Sequence, residues 1–332
     1  PGRKIRTAHF EHQFTFEKYE EIVFTTDPGY DGTEKVLVNY PHLHKDLSIG
    51  DIVLADDGTL KFELLEINDR EITFKTLTKG ILKTCKGLNV PYVKVNTPLI
   101  QDKDIRIIEM CKEQDVDLVG VSFVESGDHL KEIYDQLKGS NVEVIAKVEN
   151  QFGMDNLESI LNNCFGILID RGDLGAETSI FNISIHQKQV LKQARKLGKP
   201  VIVATEMLHT MIENPFPTKA EVNDISNAVL DGASALMMSG ETAVGAFPYD
   251  ACQTMNNIIL EAEKYQDKLN HKLKISVKDT PNSVAKGIKE VCEALDITKV
   301  VCITKSGYAA QMLSRYRLKQ ELIVVTNSIE QA

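Results

Sequence analysis

The sequence repeats one arrangement four times, in which a short apolar run is followed by a polar motif. The runs are residues 142–146, 165–169, 200–203 and 233–238, and the motifs are Lys147-Val148-Glu149-Asn150, Arg171-Gly172-Asp173-Leu174-Gly175, Ala204-Thr205-Glu206-Met207 and Ser239-Gly240-Glu241-Thr242. The motifs begin about 24 to 35 residues apart, and helix-like patterns fill the intervals, as in βα units. Polar residues at the C-terminal ends of parallel strands are typical of a β/α-barrel active site. We therefore expect the motifs to line one pocket.

Three regions of the chain differ in their pattern. Residues 8–90 contain short β-rich runs separated by Gly and Asp turn signals, and they predict a small all-β module. From residue 93 to 263, strands alternate with helices, which implies a parallel sheet. The strands of this region are expected to start at Val116, Val142, Gly166, Val201 and Ala235. Residues 280–332 predict a second, smaller α/β unit.

Charge and composition argue against two kinds of partner. The net charge of −10 over 332 residues argues against nucleic acid, since a phosphate backbone needs a basic surface. No apolar run approaches the ~18 residues of a membrane helix, so we expect no membrane partner. The six cysteines are scattered without Cys-x-x-Cys spacing, which is typical of reduced thiols in a cytoplasmic protein.

Glu149 and Asp173 are the candidate metal ligands. Each follows an apolar strand run, and neighbouring strands lie about 5 Å apart, so both carboxylates could reach one cation. Two carboxylates that share a cation with water and substrate oxygens are typical of Mg²⁺ sites where phosphates bind. The alternative is that one or both carboxylates cap the following helix or pair with Arg171.

Lys147 lies two residues before Glu149, so both side chains point to the same face of a strand. A lysine beside a divalent metal is costly unless an anion lies between them. The expected role of Lys147 is therefore to stabilise a transferring phosphoryl group or an enolate. A salt bridge to Glu149 or Asp173 is the alternative.

Other polar residues allow two interpretations each. The glycines of residues 170–175 could bring backbone N–H groups to an anion, but Gly-Asp also forms ordinary turns. Thr205 and Ser239 supply hydroxyls that serve either a site or a helix cap. The turn Thr304-Lys305-Ser306-Gly307 follows a strand run and opens a helix, so it is either a phosphate cradle or a plain helix start.

Taken together, the motifs resemble those of the pyruvate kinase family. The matching segments occur in order through nearly the whole chain. They are Ile5-Arg6-Thr7, Asp56-Asp57-Gly58, Lys86-Gly87-Leu88-Asn89, Lys103-Asp104-Ile105, Ser122-Phe123 and Ala204-Thr205, with residues 114–117, 147–150, 171–175, 198–202, 217–221, 227–233 and 239–243.

The resemblance implies an α/β fold with a β/α (TIM-type) barrel, a small β-barrel lid domain inserted into it, and a C-terminal α/β domain. On this basis, residues 1–7 end a barrel strand, 8–91 form the β-rich lid domain, 92–264 supply five of the barrel strands, and 265–332 are part of the C-terminal domain. Five strands leave an eight-stranded barrel incomplete, and the chain opens with Pro1 rather than Met. We therefore expect the native chain to be longer at both ends.

The family transfers the phosphoryl group of phosphoenolpyruvate to ADP, which yields pyruvate and ATP in glycolysis. The resemblance implies that Lys147 and Thr205 are catalytic residues. Gly172 and Asp173 would bind the substrate together with Thr205. Glu149 and Asp173 would hold Mg²⁺ or Mn²⁺.

The resemblance also implies sites beyond the reacting groups. Arg6 and Lys86 would contact the nucleotide, Lys86 after closure of the lid. The turn of Thr304, Lys305, Ser306 and Gly307 matches a loop that binds the phosphate of a sugar-phosphate activator. The family usually needs K⁺, whose ligands are absent from this chain, and it forms homotetramers.

Four positions depart from the family pattern. Asp170 and Glu206 stand where family members usually have Ala and Gln. Phe216 and Val244 stand where they usually have Arg and Lys. Each change makes the surroundings more negative, which should weaken the binding of an anionic substrate.

Two other functions fit parts of the sequence. A catalytically weak or inactive paralogue that serves as a regulatory or assembly subunit would explain the four departures. A Mg²⁺-dependent lyase acting on a pyruvate enolate would also use paired Glu and Asp residues. Such a lyase has no need for Lys147 or for a nucleotide lid that carries Lys86.

Overall fold

The structure is a computed structural model that describes residues 4–31, 33–56, 58–266 and 280–327. The chain forms two compact units, and each is described by itself. The first unit contains residues 1–163 and 169–186, and the second contains residues 164–168 and 187–332. The domain boundaries expected from the sequence stay predictions.

The N-terminal part of the first unit is built from strands. They are β1 (Ile5–Arg6), β2 (Phe14–Phe16), β3 (Glu21–Thr25), β4 (Val36–Leu37), β5 (Ile52–Ala55), β6 (Leu60–Asn68), β7 (Glu71–Thr76), β8 (Gly80–Leu82) and β9 (Gly87–Asn89), with a short helix α1 (Leu43–Asp46) between β4 and β5. Within the described residues, one sheet has the order β1-β9-β5-β6-β7-β3-β4, and β2 pairs with β8. The region has the β-rich character predicted from its turn and strand signals.

The β6–β7 hairpin shows how the sequence produces this sheet. Along β6, the buried side chains of Leu60, Phe62 and Leu64 alternate with more exposed ones, as the two-residue period of a strand requires. A register shift between Leu64 and Glu66 marks a β-bulge. Asp69 in the turn has a φ of 53°, a left-handed conformation that Asp tolerates, and this lets the chain reverse into β7.

Three phenylalanines form the centre of the sheet's apolar core. Phe24, Phe62 and Phe74 are fully buried. The ring of Phe24 lies 5.4 Å from that of Phe62 and 4.9 Å from that of Phe74, in edge-to-face arrangements. Such pairs stabilise a core beyond the burial of their area, so these rings tie β3, β6 and β7 together.

The middle of the chain alternates strands and helices. The elements are α2 (Asp102–Glu113), β10 (Leu118–Val121), α3 (Gly127–Gln136), β11 (Glu143–Val148), α4 (Gln151–Asp155), α5 (Leu157–Asn162), β12 (Gly166–Asp170), α6 (Arg171–Glu177), α7 (Ile183–Leu197), β13 (Val201–Ala204), α8 (Lys219–Asp231), β14 (Ala235–Met237), α9 (Gly240–Ala243) and α10 (Pro248–Gln266), with 3₁₀ turns at Ile180–Asn182 and His209–Ile212. Strands β10 to β14 follow one another in chain order in one sheet of the described residues. The pairs β10–β11 and β13–β14 run parallel. The predicted parallel α/β arrangement is thus confirmed.

The second unit ends in a small α/β layer. Its elements are α11 (Thr280–Ala294), β15 (Lys299–Ile303), α12 (Tyr308–Ser314) and β16 (Glu321–Val325). The two strands are parallel, with Cys302 opposite Val324. Ala285, Met312 and Tyr316 belong to the buried cluster that packs beside them.

Helix α8 has clear start and stop signals. Thr218 and Glu221 form a capping box at its N-terminus. Gly232 ends it with a φ of 101°, a left-handed conformation that favours glycine. This glycine fixes where the backbone leaves the helix.

We expect Phe24→Ala to lower the free energy of unfolding by about 3–5 kcal/mol, because it removes a fully buried ring that contacts two others. Phe181→Ala is the matched control, since that side chain is 89% exposed. The control should change stability by less than about 0.5 kcal/mol. Urea unfolding followed by circular dichroism measures both; equal effects of the two variants would contradict the assignment of this core.

Candidate active site

Two strand ends in the first unit bring three carboxylates together. Strand β11 carries Lys147, and Glu149 follows its last residue directly. Strand β12 ends at Asp170, and Asp173 lies in the first turn of the next helix, α6. One oxygen each of Glu149, Asp170 and Asp173 lies within 4.8 Å of the others. Among the described residues, this is the one group of three or more His, Cys, Asp or Glu side chains that could hold a metal ion.

Glu149 is the most deeply placed of these carboxylates. Its side chain is fully buried, and the backbone N–H of Phe123 donates to Oε2 at 2.5 Å. Phe123 has a φ of 52°, which is uncommon for an aromatic residue. Burial raises the pKa of Glu149 to about 7, even though the ammonium of Lys147 beside it acts in the opposite direction.

Lys147 joins two of the carboxylates. Its Nζ donates to Oε1 of Glu149 at 2.6 Å and to Oδ2 of Asp170 at 3.0 Å. Burial acts to lower the pKa of Lys147, but the two negative charges outweigh burial, and the pKa is raised. The ammonium is therefore held in its charged form. Of the two salt bridges considered from the sequence, the structure contains the one to Glu149.

Asp173 has partners from the start of the chain and from β9. The Nζ of Lys4 donates to its Oδ2 at 2.5 Å, and the amide of Asn89 donates to its Oδ1 at 3.3 Å. Lys4 also lies over the ring of Phe123, with Nζ 5.8 Å from the centroid. A second ammonium therefore belongs to the cluster of the first unit.

A further carboxylate, Glu177, is buried at the end of α6. The backbone N–H of Val90 donates to its Oε1 at 3.2 Å. Burial raises the pKa of Glu177 to about 7, against the lowering effect of its hydrogen bonds with Asn89 and Val90. Glu177 thus supports the segment that carries Asn89, which in turn contacts Asp173.

The chemistry of the donor set fits a hard divalent cation. Glu149, Asp170 and Asp173 offer only carboxylate oxygens, the ligands that Mg²⁺ and Mn²⁺ prefer. Three buried or half-buried carboxylates also repel one another unless a positive charge lies between them. From the sequence, we expected Asp170 to add negative charge to the site. In the structure its carboxylate accepts a hydrogen bond from Lys147 and lies close to the carboxylates of Glu149 and Asp173.

The two residues predicted to bind nucleotide lie side by side. Arg6 on β1 is paired with Gly87 on β9, so it lies next to Lys86. The Nη1 of Arg6 donates to the carbonyl of Cys85 at 3.2 Å. The Nζ of Lys86 forms an ion pair with Asp56 at 2.6 Å. Their nucleotide role stays a prediction.

The predicted site residues of the second unit lie at the ends of β13 and β14. Thr205 follows β13 with a φ of 68°, and its Oγ1 donates to the carbonyl of Ala204 at 2.7 Å. Glu206 also has a positive φ, of 53°. Two consecutive left-handed residues are costly, and such strain is concentrated at functional sites. Ser239 donates its backbone N–H to the buried Glu241 at 2.8 Å.

The turn of residues 304–307 connects β15 to α12. The N–H of Thr304 donates to the carbonyl of Val325 at 2.9 Å, and Gly307 caps α12 with a φ of 72°. Phe216 and Val244, the other two departures from the family pattern, are each 79% exposed. The activator-binding role of the turn, which includes Lys305 and Ser306, stays a prediction.

Three contacting groups were not predicted: Lys4, Asn89 and Glu177. Each lies within or just beside a matching segment, since Lys4 precedes Ile5, Asn89 ends residues 86–89, and Glu177 follows residues 171–175 closely. That proximity was the available signal. None of the helices in the described part of the chain is long and apolar enough to cross a membrane.

Comparisons with known proteins give a consistent result. The family model described as "Pyruvate kinase, barrel domain" matches residues 1–252, and the one described as "Pyruvate kinase, alpha/beta domain" matches residues 282–332. The chain is 38% identical to a pyruvate kinase of Bacillus licheniformis, over 98% of this chain and 57% of the relative. A pyruvate kinase of Geobacillus stearothermophilus is 36% identical with the same coverage. The chain thus spans about 57% of the length of these curated relatives.

Among solved structures, a pyruvate kinase from Cryptosporidium parvum is similar with a TM-score of 0.89 and 33% sequence identity. The match covers 100% of this chain and 70% of that one. These results confirm the predicted family and the predicted fold of a barrel domain with a C-terminal α/β domain. The relatives named here are pyruvate kinases, and they lend no support to the lyase or to the regulatory subunit.

Glu177 should make stability depend on pH. Its pKa is raised from 4.5 to about 7 in the folded chain, so the folded state binds the proton more tightly than the unfolded state. The contribution is therefore present below about pH 4.5 and is lost as the pH rises through 7. Between pH 5 and 8, the unfolding free energy of the wild type should fall by on the order of 2 kcal/mol more than that of Glu177→Gln.

Urea unfolding at each pH measures this difference, which separates Glu177 from the other groups that titrate in the same range. The matched control is Glu158→Gln on α5, because that side chain is exposed. Its profile should follow the wild type. If the unfolding free energies of wild type and Glu177→Gln changed with pH in parallel, burial would not raise the pKa of this carboxyl group.

Proposed function

Because the chain belongs to the pyruvate kinase family, we propose that it transfers the phosphoryl group of phosphoenolpyruvate to ADP, forming pyruvate and ATP. The observation that carries the proposal is the ammonium of Lys147, held by Glu149 and Asp170 beside a set of carboxylates. A fixed positive charge next to a cation site suits a reaction in which charge moves between phosphoryl oxygens and an enolate.

Glu149 and Asp173 are the proposed holders of Mg²⁺ or Mn²⁺. Their carboxylates are deep enough to exclude most water, with exposed fractions of 0% and 5%. When bound, the ion would neutralise negative charge on the phosphoryl and enolate oxygens. Asp170 lies close enough to act as a third carboxylate of the same group.

The chain's own residues have separate tasks in this proposal. Lys147 stabilises the charge that develops on the transferring phosphoryl group and on the enolate, because its ammonium is already fixed and needs no reorganisation. The backbone of Gly172 at the start of α6 approaches the phosphoryl oxygens without hindrance from a side chain. Thr205 donates its hydroxyl to the substrate, for which it must release the carbonyl of Ala204.

Arg6 and Lys86 are the proposed contacts for the phosphates of ADP. The guanidinium of Arg6 now donates to a carbonyl, and Lys86 is paired with Asp56. Both bonds are partly exposed, so they are weak and can be exchanged for phosphate oxygens. Closure of the β-rich region would bring Lys86 to the nucleotide.

Further expectations follow from the family and belong to the same proposal. We place the reaction in glycolysis and the protein in the cytoplasm, as a homotetramer that uses K⁺ as a second cation. The turn of residues 304–307 would bind the phosphate of a sugar-phosphate activator.

Lys147→Met should lower kcat by about 10²-fold or more, because it removes a preorganised charge from the developing transition state. The assay couples pyruvate formation from phosphoenolpyruvate and ADP to lactate dehydrogenase. Lys131→Met on α3 is the matched control, since this lysine is 63% exposed, and it should retain the wild-type rate. Activity that survives Lys147→Met would remove Lys147 from the proposal, and no turnover by the wild type with Mg²⁺, K⁺ and both substrates would overturn the activity.

Asp170→Ala should lower the KM for phosphoenolpyruvate by about three- to tenfold. A negative charge close to an incoming anion is repulsive even at a high effective dielectric constant. Removing it also frees the Nζ of Lys147 from one of its two acceptors.

Asp170→Asn is the companion variant for the same assay at saturating Mg²⁺. It removes the charge and keeps the size of the side chain, so it should shift KM in the same direction. A rise in KM, together with a higher Mg²⁺ requirement in both variants, would show instead that Asp170 is needed as a metal ligand.

A further inference from the structure

A cleft of about 250 Å³ in the second unit is lined by four cationic side chains, Arg195, Lys199, Arg315 and Arg317. Arg195 lies in the last turn of α7, and Lys199 lies shortly before β13. Arg315 and Arg317 follow the end of α12. All of these residues belong to the second unit, and none of the residues that line the cleft belongs to the turn at 304–307.

The hydrogen-bond partners of the four cations are neutral oxygens. The bonds run from Arg195 Nε to the carbonyl of Arg315 (2.8 Å), from Arg315 Nη1 to the carbonyl of Lys196 (2.9 Å), from Arg315 Nη2 to the amide oxygen of Asn282, from Lys199 Nζ to the carbonyl of Cys164 (2.7 Å), and from Arg317 Nη2 to the carbonyls of Gly232 and Ala233 (both 3.1 Å). Within the described residues, no carboxylate forms an ion pair with any of the four. The cleft therefore collects positive charge without a carboxylate in direct contact with it.

Two of the guanidinium groups meet at one glycine. A Cβ on Gly232 would lie 3.8 Å from Nη1 of Arg195, and the carbonyl of the same glycine accepts from Arg317. Burial lowers the pKa of Arg195, and the charge of Arg317 adds to that effect. Desolvation by its neighbours also lowers the pKa of Arg317, which stays partly exposed, with Glu263 acting in the opposite direction. Like charges in such a setting are costly unless an anion compensates them.

Arg315 gives an independent indication. Its side chain is only 4% exposed, and its Nε is buried with no hydrogen-bond partner in the described part of the chain. A buried, charged donor without an acceptor costs the full desolvation of that group. An anion in the cleft that Arg315 lines would compensate the charge of this guanidinium.

Guanidinium groups suit phosphate, because their planar N–H forks bind two oxygens at once. A phosphate group carries about −1.5 to −2 charges at neutral pH, so it balances more of this cluster than a carboxylate does. The cleft also presents Ser234, Gln311 and Ser314, which can bind the polar organic part of a ligand. We propose that this cleft binds a small phosphate monoester, with Arg195, Arg315 and Arg317 around the phosphate.

Such a ligand would bridge two parts of the second unit. Arg195 belongs to a helix of the alternating strand and helix region, whereas Arg315 and Arg317 follow α12 of the C-terminal layer. The ligand binds the folded arrangement of these side chains and not the unfolded chain, so it should stabilise the protein by mass action.

The test uses glycerol 3-phosphate, with glycerol as the uncharged comparison, in calorimetric titrations of the whole 332-residue chain. Wild type should bind glycerol 3-phosphate and not glycerol. Arg195→Gln and Arg317→Gln should each weaken binding about tenfold or more, because each removes a charge-assisted hydrogen bond. Lys192→Gln, on the exposed face of the same helix as Arg195, should leave affinity unchanged, and Lys305→Gln separates binding at this cleft from phosphate bound at the turn of residues 304–307.

Two results would overturn the proposal. One is the absence of binding by wild type up to about 10 mM ligand. The other is binding that Lys305→Gln abolishes and the two arginine variants leave intact, which would assign the phosphate to the turn at 304–307.

A measurement on the unmodified protein avoids any folding defect of the variants. Phenylglyoxal modifies accessible arginines, and mass spectrometry of peptides gives the rate at each position. Glycerol 3-phosphate should slow the modification of Arg195 and Arg317 at least about threefold, while Arg106, exposed on α2, should react at the same rate with and without ligand. Equal rates at all three positions would contradict the proposed site.

Discussion

The buried carboxylate of Glu149 is the constraint on which the candidate active site depends. An ionised carboxylate without water is costly, so the chain must surround it with donors. The N–H of Phe123 and the ammonium of Lys147 supply part of this compensation. Because Lys147 also donates to Asp170, the same compensation connects the ends of β11 and β12. The compensation is incomplete, since the pKa of Glu149 still rises to about 7, and a bound cation would complete it.

The sequence predicted the elements that have strong local signals. Strands β10 to β14 begin within two residues of the predicted starts, because each lies in an apolar run that the sequence shows directly. Helix α8 likewise begins at a local signal, since Thr218 and Glu221 form a capping box at its N-terminus. These features depend on neighbours in the sequence. They can therefore be recognised before the fold is known.

The partners of Asp173 could not be predicted in the same way. Lys4 and Asn89 are separated from Asp173 by 169 and 84 positions. They reach the cluster because β1 pairs with β9, with Ile5 opposite Leu88. A contact of this kind depends on strand pairing across a whole domain, for which no local pattern exists. Asp170 is a second example. Its charge was evident from the sequence, but its hydrogen bond with Lys147 could be recognised only once the structure showed that the ends of β11 and β12 lie side by side.

The carboxylate cluster of the first unit and the cationic cleft of the second unit are subject to the same electrostatic requirement, but their excess charges have opposite signs. A buried charge needs a charge of the other sign close to it. In the first unit, the chain supplies both signs, with Lys4 and Lys147 facing Glu149, Asp170 and Asp173, and the excess is negative. In the second unit, the cleft contains cations bound to neutral carbonyls, and the excess is positive. The net charge of −10 is therefore no guide to what either cluster binds. The two proposals therefore depend on the local excess of charge, which favours a cation in the first unit and an anion in the second.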